Sequence, residues 1–236
     1  MIKKKNNYPY IILINPQLDE NIGAVARAML NFEFQQLRIV KDKWEPNKKS
    51  LSMSAGADSI LKNAKIYKSL EDATKDLHYL YATTNRKRSL NLEVLTLKKG
   101  INEIAQIKKN KIGIVFGPER NGINNNEISL CDKIINIPLN KEFNSLNLSQ
   151  SVLLIVYEWF NLKNKKNIKI FHQKALKSEL FTFFNFLENS LEKKFFFRVK
   201  EKKQIMVRNI RTIFEKANLT KKEVKIMLGI LNVFKK

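Results

Sequence analysis

The chain has 236 residues, of which 44% are hydrophobic, and this is enough for one large or two small domains with an apolar core. Its 44 lysines and arginines outnumber 22 acidic residues, and the net charge of +22 favours a polyanionic partner, most simply nucleic acid. The single cysteine excludes an internal disulfide and a cysteine-based metal cluster, and the lack of an apolar run of about 18 residues argues against a membrane-spanning helix.

The apolar run from Tyr8 to Ile14 predicts a buried first strand, which the turn signal Asn15-Pro16 ends. This run is too short to be the core of a secretion signal, so we expect a cytoplasmic protein. A helix is predicted at 21–30, where small residues permit close packing against a neighbouring strand or ligand. Arg27 is the one charge in this run, and it is either a surface residue or a buried functional one.

Three later strands, each predicted from a short apolar run, lead directly into a polar loop. In α/β proteins such loops lie together at the carboxyl edge of the sheet and build ligand sites there. The sequence therefore predicts a ligand site made by three loops. The strand and loop pairs are 77–82 with 83–88, 111–116 with 117–122, and 134–137 with 144–151. The other predicted elements are strands at 37–40 and 66–67 and helices at 51–58, 70–76, 101–109 and 146–162.

The second of these loops contains two glycines, Gly117 and Gly122, at the spacing of a phosphate-binding loop. Ile123 stands where that motif requires lysine, and the chain also lacks a GxGxxG pattern, so nucleotide binding is not supported. The glycines still allow the backbone to approach a ligand closely. For the basic loop 83–88, contact with a phosphate and a solvated turn both remain open.

The C-terminal part follows a polar break that is rich in lysine and asparagine. We therefore expect a first domain at 1–162, a linker at 163–170 and a helical domain at 171–236. Apolar residues at helical spacing predict a packed helical core, and Thr220 with Glu223 predicts a capping box. The net charge is +14 from the linker onward and +8 before it, although a lysine-rich solvated surface is an alternative explanation.

Three motifs together resemble those of the SpoU branch of the SPOUT methyltransferases, in order and spacing as well as in residue type. They are Asn21-x-Gly23-x-x-x-Arg27, Phe116-Gly117-x-Glu119-x-x-Gly122, and Ile137 followed by Ser145-Leu146-Asn147-Leu148. The resemblance covers the whole chain. Residues 206–214 and 228–231 resemble the tail of the TrmJ-type tRNA 2′-O-methyltransferases within that branch.

This resemblance implies an α/β fold with a SPOUT-type parallel sheet, whose C-terminal part is tied in a deep trefoil knot, followed by a small all-helical domain. It implies S-adenosylmethionine as the cofactor, held by the three loops, and a homodimer with the active site at the subunit interface. The implied reaction is methylation of a ribose 2′-hydroxyl in tRNA, on a pyrimidine (C or U) at position 32, where the anticodon loop begins. No metal is expected, because methyl transfer from a sulfonium needs no Lewis acid.

The same resemblance assigns roles to individual residues. Arg27 matches the family's catalytic arginine, and because a guanidinium is an unlikely base, we expect it to orient the hydroxyl and stabilise the alkoxide. Asn21 is expected to position Arg27 or the adjacent phosphate, and the other polar active-site positions are Glu119, Ser145 and Asn147. The cofactor-binding positions are Thr83, Thr84, Asn85, Gly117, Gly122, Ile137, Asn144, Ser145 and Leu146.

Small departures from the family pattern leave these residues in place. Glu33 stands where relatives usually have glycine at the end of the first helix, and Ser149 replaces a common alanine. Two other functions remain open, namely an rRNA 2′-O-methyltransferase of the same superfamily and a non-catalytic basic RNA-binding protein. The TrmJ-like tail argues against the first, and the intact set of polar site residues argues against the second.

Overall fold

The computed structural model describes residues 8–86, 91–162 and 173–233. Within these ranges the chain forms a mixed α/β structure around one sheet in which every strand pairing is parallel. The strands are β1 (Tyr10–Ile14), β2 (Leu37–Val40), β3 (Lys65–Tyr67), β4 (Tyr79–Thr83), β5 (Glu93–Thr96), β6 (Ile112–Phe116) and β7 (Lys133–Asn136). Their order across the sheet is β3-β2-β1-β6-β4-β7-β5, which confirms the predicted parallel α/β architecture.

The helices cover both faces of this sheet. They are α1 (Asp19–Asn31), α2 (Lys48–Ser54), α3 (Asp58–Lys62), α4 (Leu70–Thr74), α5 (Leu97–Gln106), α6 (Asn125–Ile128), α7 (Leu148–Leu162), α8 (Lys177–Lys193), α9 (Lys200–Lys216) and α10 (Lys221–Val233). Apolar residues of α1, α3, α5 and α7 share one core cluster with the sheet, and those of α4 and α6 share the other. None of the helices in the described ranges is long and apolar enough to cross a bilayer.

The central strands are buried on both faces, as a parallel sheet between two helical layers requires. In β1, Ile11 and Leu13 belong to one core cluster, while Ile12 and Ile14 belong to the other. Successive side chains of a strand point to opposite faces, so both sets must be apolar. This explains why the strand appears in the sequence as an unbroken apolar run.

Two local predictions differ from the structure. The single helix expected at 51–58 is wrong, because Ala55 (φ 45°) and Gly56 (φ 94°) adopt left-handed conformations that separate α2 from α3. Strand β5 was not predicted at all. It lies at the edge of the sheet and only Leu95 in it is buried, so its sequence carries no apolar run.

The last three helices have an apolar core of their own, which confirms the predicted helical packing. This core contains Leu180, Phe183, Phe184 and Leu187 of α8 together with residues of α9 and α10. The capping box at the start of α10 is also confirmed, since Thr220 and Glu223 exchange hydrogen bonds. The expected linker at 163–170, and residues 87 and 88 of the basic loop, lie outside the described residues, so the domain boundaries remain a prediction.

Candidate active site

A pocket lies at the carboxyl edge of the sheet, where β6, β4 and β7 end side by side. Because β4 lies between β6 and β7, the three polar loops that follow these strands converge here as the sequence predicted. The pocket is lined by all nine of the expected cofactor-binding positions: Thr83, Thr84, Asn85, Gly117, Gly122, Ile137, Asn144, Ser145 and Leu146. Six further lining residues were not among the expected site residues: Phe116 and Leu148, which belong to the motifs, and Arg86, Pro118, Arg120 and Ser151.

The loop after β6 folds tightly back on itself, and its two glycines allow this. A Cβ atom on Gly117 would lie 2.2 Å from the backbone nitrogen of Ile123, which is far inside contact distance. Gly122 has a φ of +63° and donates from its backbone N–H to the carbonyl of Pro118 at 2.8 Å. The glycines therefore set the shape of this pocket wall and leave its backbone open to a ligand.

The loop after β4 is fixed to both neighbouring strands. The hydroxyl of Thr83 donates to the carbonyl of Val115 at 2.8 Å, and the backbone N–H of Thr84 donates to the carbonyl of Ile135 at 3.3 Å. The side-chain amide of Asn136 donates to Oδ1 of Asn85 at 3.0 Å. Asn136 was missed by sequence reasoning, although a polar residue within an apolar strand run is a signal that could have found it.

Behind the pocket, side-chain amides connect the three sequence motifs. Nδ2 of Asn147 donates to Oδ1 of Asn21 at 3.0 Å, and Nδ2 of Asn21 donates to Oε1 of Glu119 at 2.8 Å. Oδ1 of Asn147 accepts from the backbone N–H of Ser149 at 2.8 Å and from its hydroxyl at 2.7 Å. This chain of hydrogen bonds, the amide relay, holds the beginnings of α1 and α7 against the loop after β6.

Glu119 is the acceptor at the end of the amide relay. Its carboxylate also accepts from the backbone N–H groups of Gln17 at 2.9 Å and Leu18 at 3.4 Å. Partial desolvation raises the pKa of Glu119, but the hydrogen bonds from Asn21 and from the backbone outweigh it, so the pKa lies below its ordinary value. The carboxylate is therefore ionised at neutral pH and serves as a fixed acceptor.

Arg27 stands apart from the other expected catalytic residues. Its side chain is exposed on α1, and it does not line the pocket of its own chain. The side-chain amide of Asn21 bonds Glu119 and Asn147, whereas we expected it to position Arg27 or a phosphate. Glu119 and Ser145 line the pocket, while Asn21 and Asn147 lie behind it in the amide relay.

Gly23, the middle residue of the first motif, has a packing role. A Cβ atom at this position would lie 2.1 Å from the carbonyl oxygen of Ser50. Glycine therefore lets α1 approach the helix α2 closely, whereas the small residues of α1 predicted close packing against a strand or a ligand.

Two family models match the chain. The model of the SpoU rRNA methylase family matches residues 8–157, and the model of the tRNA methyltransferase TrmJ C-terminal domain matches residues 178–236. The first match contains all three motifs and every loop of the pocket. The second contains helices α8 to α10 almost completely.

Individual relatives agree with these matches. A tRNA (cytidine-2′-O-)-methyltransferase TrmJ of Methanocaldococcus jannaschii is 40% identical over 65% of this chain and 67% of its own length. A tRNA (cytidine/uridine-2′-O-)-methyltransferase TrmJ of Klebsiella pneumoniae is 29% identical over 94% of this chain and 93% of its own. The crystal structure of TrmJ from Z. mobilis superposes with a TM-score of 0.89 and 36% identity, covering 97% of this chain and 100% of that one.

Proposed function

Because the chain belongs to the SpoU rRNA methylase family and carries a TrmJ-type C-terminal domain, we propose that it is a tRNA 2′-O-methyltransferase that uses S-adenosylmethionine. Its substrate is a pyrimidine, C or U, at position 32 of the anticodon loop. The observation that carries this proposal is the convergence of all three motif loops on one pocket at the carboxyl edge of the sheet. The net charge of +22 suits a polyanionic substrate such as tRNA.

The pocket residues suit S-adenosylmethionine, which when bound supplies an electrophilic methyl group on a sulfonium. The wall formed by Gly117 and Gly122 has no side chains and lets backbone N–H groups approach a ligand closely. Arg86 and Arg120 line the same pocket and suit the carboxylate of the amino-acid end. Thr83, Thr84 and Asn85 form the opposite wall, which is fixed to both neighbouring strands.

The chain's own residues have separate tasks in the reaction. A ribose hydroxyl is a poor nucleophile at neutral pH, and it must lose its proton to water as the new O–C bond forms and the S–C bond breaks. For this it must be aligned with the methyl carbon, and its developing charge must be stabilised. Arg27 provides the positive charge for both tasks, since a guanidinium keeps its proton. The amide relay fixes the surrounding loops, and Glu119 is a poor general base because its pKa is lowered and its oxygens accept several hydrogen bonds. Ser145, exposed in the pocket wall, is available to bond the ribose or the cofactor.

The protein acts as a homodimer in this proposal. Arg27 is exposed and lies outside its own pocket, so a second copy of the chain must bring an Arg27 to each pocket. Exposed apolar residues on α1 and α7 form a surface that suits this contact, namely Leu30, Leu153 and Tyr157, at 42%, 38% and 49% exposure. The ring of Phe32 packs on that of Tyr157 at 5.7 Å between centroids, which extends this apolar face.

Two features of the fold belong to the same proposal. The segment after β6 forms the deep trefoil knot of SPOUT proteins, which is supported by the position of β4 between β6 and β7 and by the joint lining of one pocket by their loops. The chain divides into a methyltransferase domain at 1–162, a linker at 163–170 and an all-helical domain at 171–236. The separate apolar core of α8, α9 and α10 supports this division.

The proposal is tested by incubating the purified protein with bulk tRNA and methyl-labelled S-adenosylmethionine, and by identifying the labelled nucleoside after digestion. We expect a 2′-O-methylated pyrimidine, which mapping then places at position 32. Label on a base would contradict the mechanism. Label on ribosomal RNA in a parallel reaction, with none on tRNA, would favour the rRNA enzyme. RNA binding without any label would favour a non-catalytic RNA-binding protein.

A further inference from the structure

The C-terminal helices meet the sheet at a buried group of four ionisable side chains: Asp132, Lys174, Lys177 and Glu215. We call this group the charge cluster. None of the four residues is more than 4% exposed. Asp132 lies just before β7, Lys177 is the first residue of α8, and Glu215 lies near the end of α9. The cluster therefore joins one residue of the sheet region to two separate helices of the C-terminal part.

Each lysine of the charge cluster contacts both carboxylates. Nζ of Lys177 lies 2.9 Å from Oδ2 of Asp132 and 2.6 Å from Oε2 of Glu215. Nζ of Lys174 pairs with Asp132 and lies 3.3 Å from Oε2 of Glu215. Two positive and two negative groups thus alternate, and their formal charges sum to zero.

The surroundings of the charge cluster supply further polar contacts. Nζ of Lys177 also donates to the carbonyl of Leu130 at 3.1 Å, and Oδ2 of Asp132 accepts from the backbone N–H of Leu80 at 2.7 Å. Nζ of Lys174 lies 4.9 Å from the centre of the Tyr79 ring. Burial first, and then repulsion from Lys177, lower the pKa of Lys174 to about 7. The interaction with Glu215 opposes this lowering, so the charge of Lys174 depends on that carboxylate.

The charge cluster fixes the helices at two points. At the start of α8, the backbone N–H of Lys177 donates to the carbonyl of Leu77 at 2.7 Å, and that of Ser178 donates to the carbonyl of Lys75 at 3.0 Å. At α9, Glu215 is held by the two lysines. Because α8, α9 and α10 share one apolar core, fixing two of the helices fixes the orientation of all three.

We propose that the charge cluster holds the basic C-terminal helices at one orientation against the sheet and so aligns a bound tRNA with the methyl-transfer pocket. Helix α9 carries six basic and two acidic residues, so its placement determines where a polyanion is held. Buried ion pairs add little net stability because of their desolvation cost, and in some proteins they select one arrangement of the chain. The alignment of tRNA rests on the proposed function, whereas the fixed orientation of the helices does not.

The test uses the full chain and variants that change the charge balance of the cluster. Glu215→Gln removes the carboxylate that both lysines contact, and Lys174→Met removes one of the two lysines that pair with the carboxylates. The double variant Lys174→Met with Glu215→Gln restores the balance and keeps the pair between Lys177 and Asp132. Glu188→Gln is the matched control, because it removes another ion pair between α8 and α9, that of Glu188 with Arg211 at 2.7 Å, and leaves the charge cluster intact.

The measurements are the radius of gyration by small-angle X-ray scattering, KM for tRNA, kcat, and Kd for S-adenosylmethionine. We expect each single variant to have a larger radius of gyration and a KM for tRNA raised about fivefold or more, which is the lower range of measured site couplings. We expect kcat and the cofactor Kd to stay at wild-type values. The double variant should have the radius of gyration and the KM for tRNA of the wild type, and the control variant should keep both values.

Wild-type scattering and KM in both single variants would overturn the proposal, and so would a double variant as impaired as the singles. If one single variant does not fold, the other still tests the loss of one member of the charge cluster. Scattering and cofactor binding do not require turnover. If the protein methylates no tRNA but the single variants show the expected scattering, the proposed function is refuted and the fixed orientation of the helices is still supported.

Discussion

Nδ2 of Asn21 donates a hydrogen bond of 2.8 Å to Oε1 of Glu119, a residue 98 positions later in the sequence. This contact joins the first motif to the second, and the hydrogen bond from Asn147 to Asn21 adds the third. Three of the polar residues that the family resemblance assigned to the active site, namely Asn21, Glu119 and Asn147, thus also hold the three motifs together. This dual role shapes the expected effects of substitution.

Replacing Glu119 with glutamine should weaken cofactor binding. The new amide NH₂ group would face either the N–H of Gln17 or, in the other orientation, the N–H of Leu18 and the amide of Asn21, which all now donate to the carboxylate. We expect Kd for S-adenosylmethionine to rise about tenfold. This corresponds to a loss of about 1.4 kcal/mol in binding free energy, which is close to the contribution of one charge-assisted hydrogen bond. Isothermal titration calorimetry measures this. Glu127→Gln is the control, since Glu127 also accepts from a backbone N–H but caps α6 outside the pocket. Equal losses in both variants would contradict a local effect.

The contribution of Glu119 to stability should depend on pH. Desolvation raises its pKa, but hydrogen bonds lower it further, so in the folded protein the pKa lies below the ordinary value of 4.5. The unfolded chain therefore binds the proton more readily, and the stabilisation is complete above about pH 4.5 and is lost as the pH falls through the folded pKa. Thermal unfolding from pH 7 to pH 3 should show the Tm difference between wild type and Glu119→Gln shrinking below about pH 4.5. A difference that stays constant with pH would contradict the assignment.

Two glycine substitutions should have opposite effects. Gly117→Ala places a methyl group against backbone atoms that cannot move away, so we expect a loss of about 1–3 kcal/mol in the free energy of unfolding and failure to bind cofactor. Gly229→Ala meets no atom within 4 Å and lies inside α10. It should raise the free energy of unfolding by about 0.5–1 kcal/mol. Chemical denaturation measures both, and a tolerant Gly117→Ala would refute the rigid loop.

Arg27→Ala should lower kcat about 10²–10³-fold, as the loss of one charge-stabilising group does in other enzymes, while Tm stays unchanged because the side chain is exposed. Lys62→Ala, at an exposed position of α3, is the control.

Mixing Arg27→Ala with Gly117→Ala then tests which chain supplies the arginine. Equal mixing makes about half of the dimers mixed. If the second copy supplies the arginine, each mixed dimer has one intact site out of two, so roughly a quarter of wild-type activity returns. No recovery on mixing would place Arg27 in its own chain's site.

Tyr157→Lys should separate the proposed homodimer. It places a charge on the exposed apolar face that Leu30 and Leu153 share, and burying an unpaired charge in an interface is costly. Analytical ultracentrifugation at micromolar concentration should show a dimer for the wild type and a monomer for the variant, with loss of activity. Lys49→Ala, on the exposed side of α2, should remain dimeric. A monomeric wild type would refute the interface.

The sequence predicted those parts of the molecule that depend on local patterns. Parallel strands buried on both faces and helices with one apolar side leave clear signals, so the sheet and the convergence of its loops could be expected. The amide relay could not, because its residues lie up to 126 positions apart and each looks like a solvated loop residue or a helix cap. Edge strand β5 has too few apolar residues to be recognised.

Glu33 shows what a departure from a family pattern can mean physically. Relatives usually have glycine at this position, and in the structure Glu33 has a φ of 65°, which is a left-handed conformation. Side chains other than glycine adopt this conformation at a cost of about 1 kcal/mol. The carboxylate accepts a hydrogen bond from the hydroxyl of Tyr8 at 2.8 Å, which offsets part of that cost. The sequence showed the unusual residue, but only the backbone shows why glycine is common there.

The hydrogen bond between Asn147 and Asn21 also has a consequence for biosynthesis. Asn21 leaves the ribosome early, but its partner is synthesised 126 residues later, after the last strand of the described sheet. Contacts between such distant segments form slowly, because a long loop must close first. The cofactor pocket should therefore be among the last parts of the nascent chain to mature. A chain stalled just before residue 147 would contain all seven strands of the described sheet but lack Asn147, and it should be unable to bind the methyl donor.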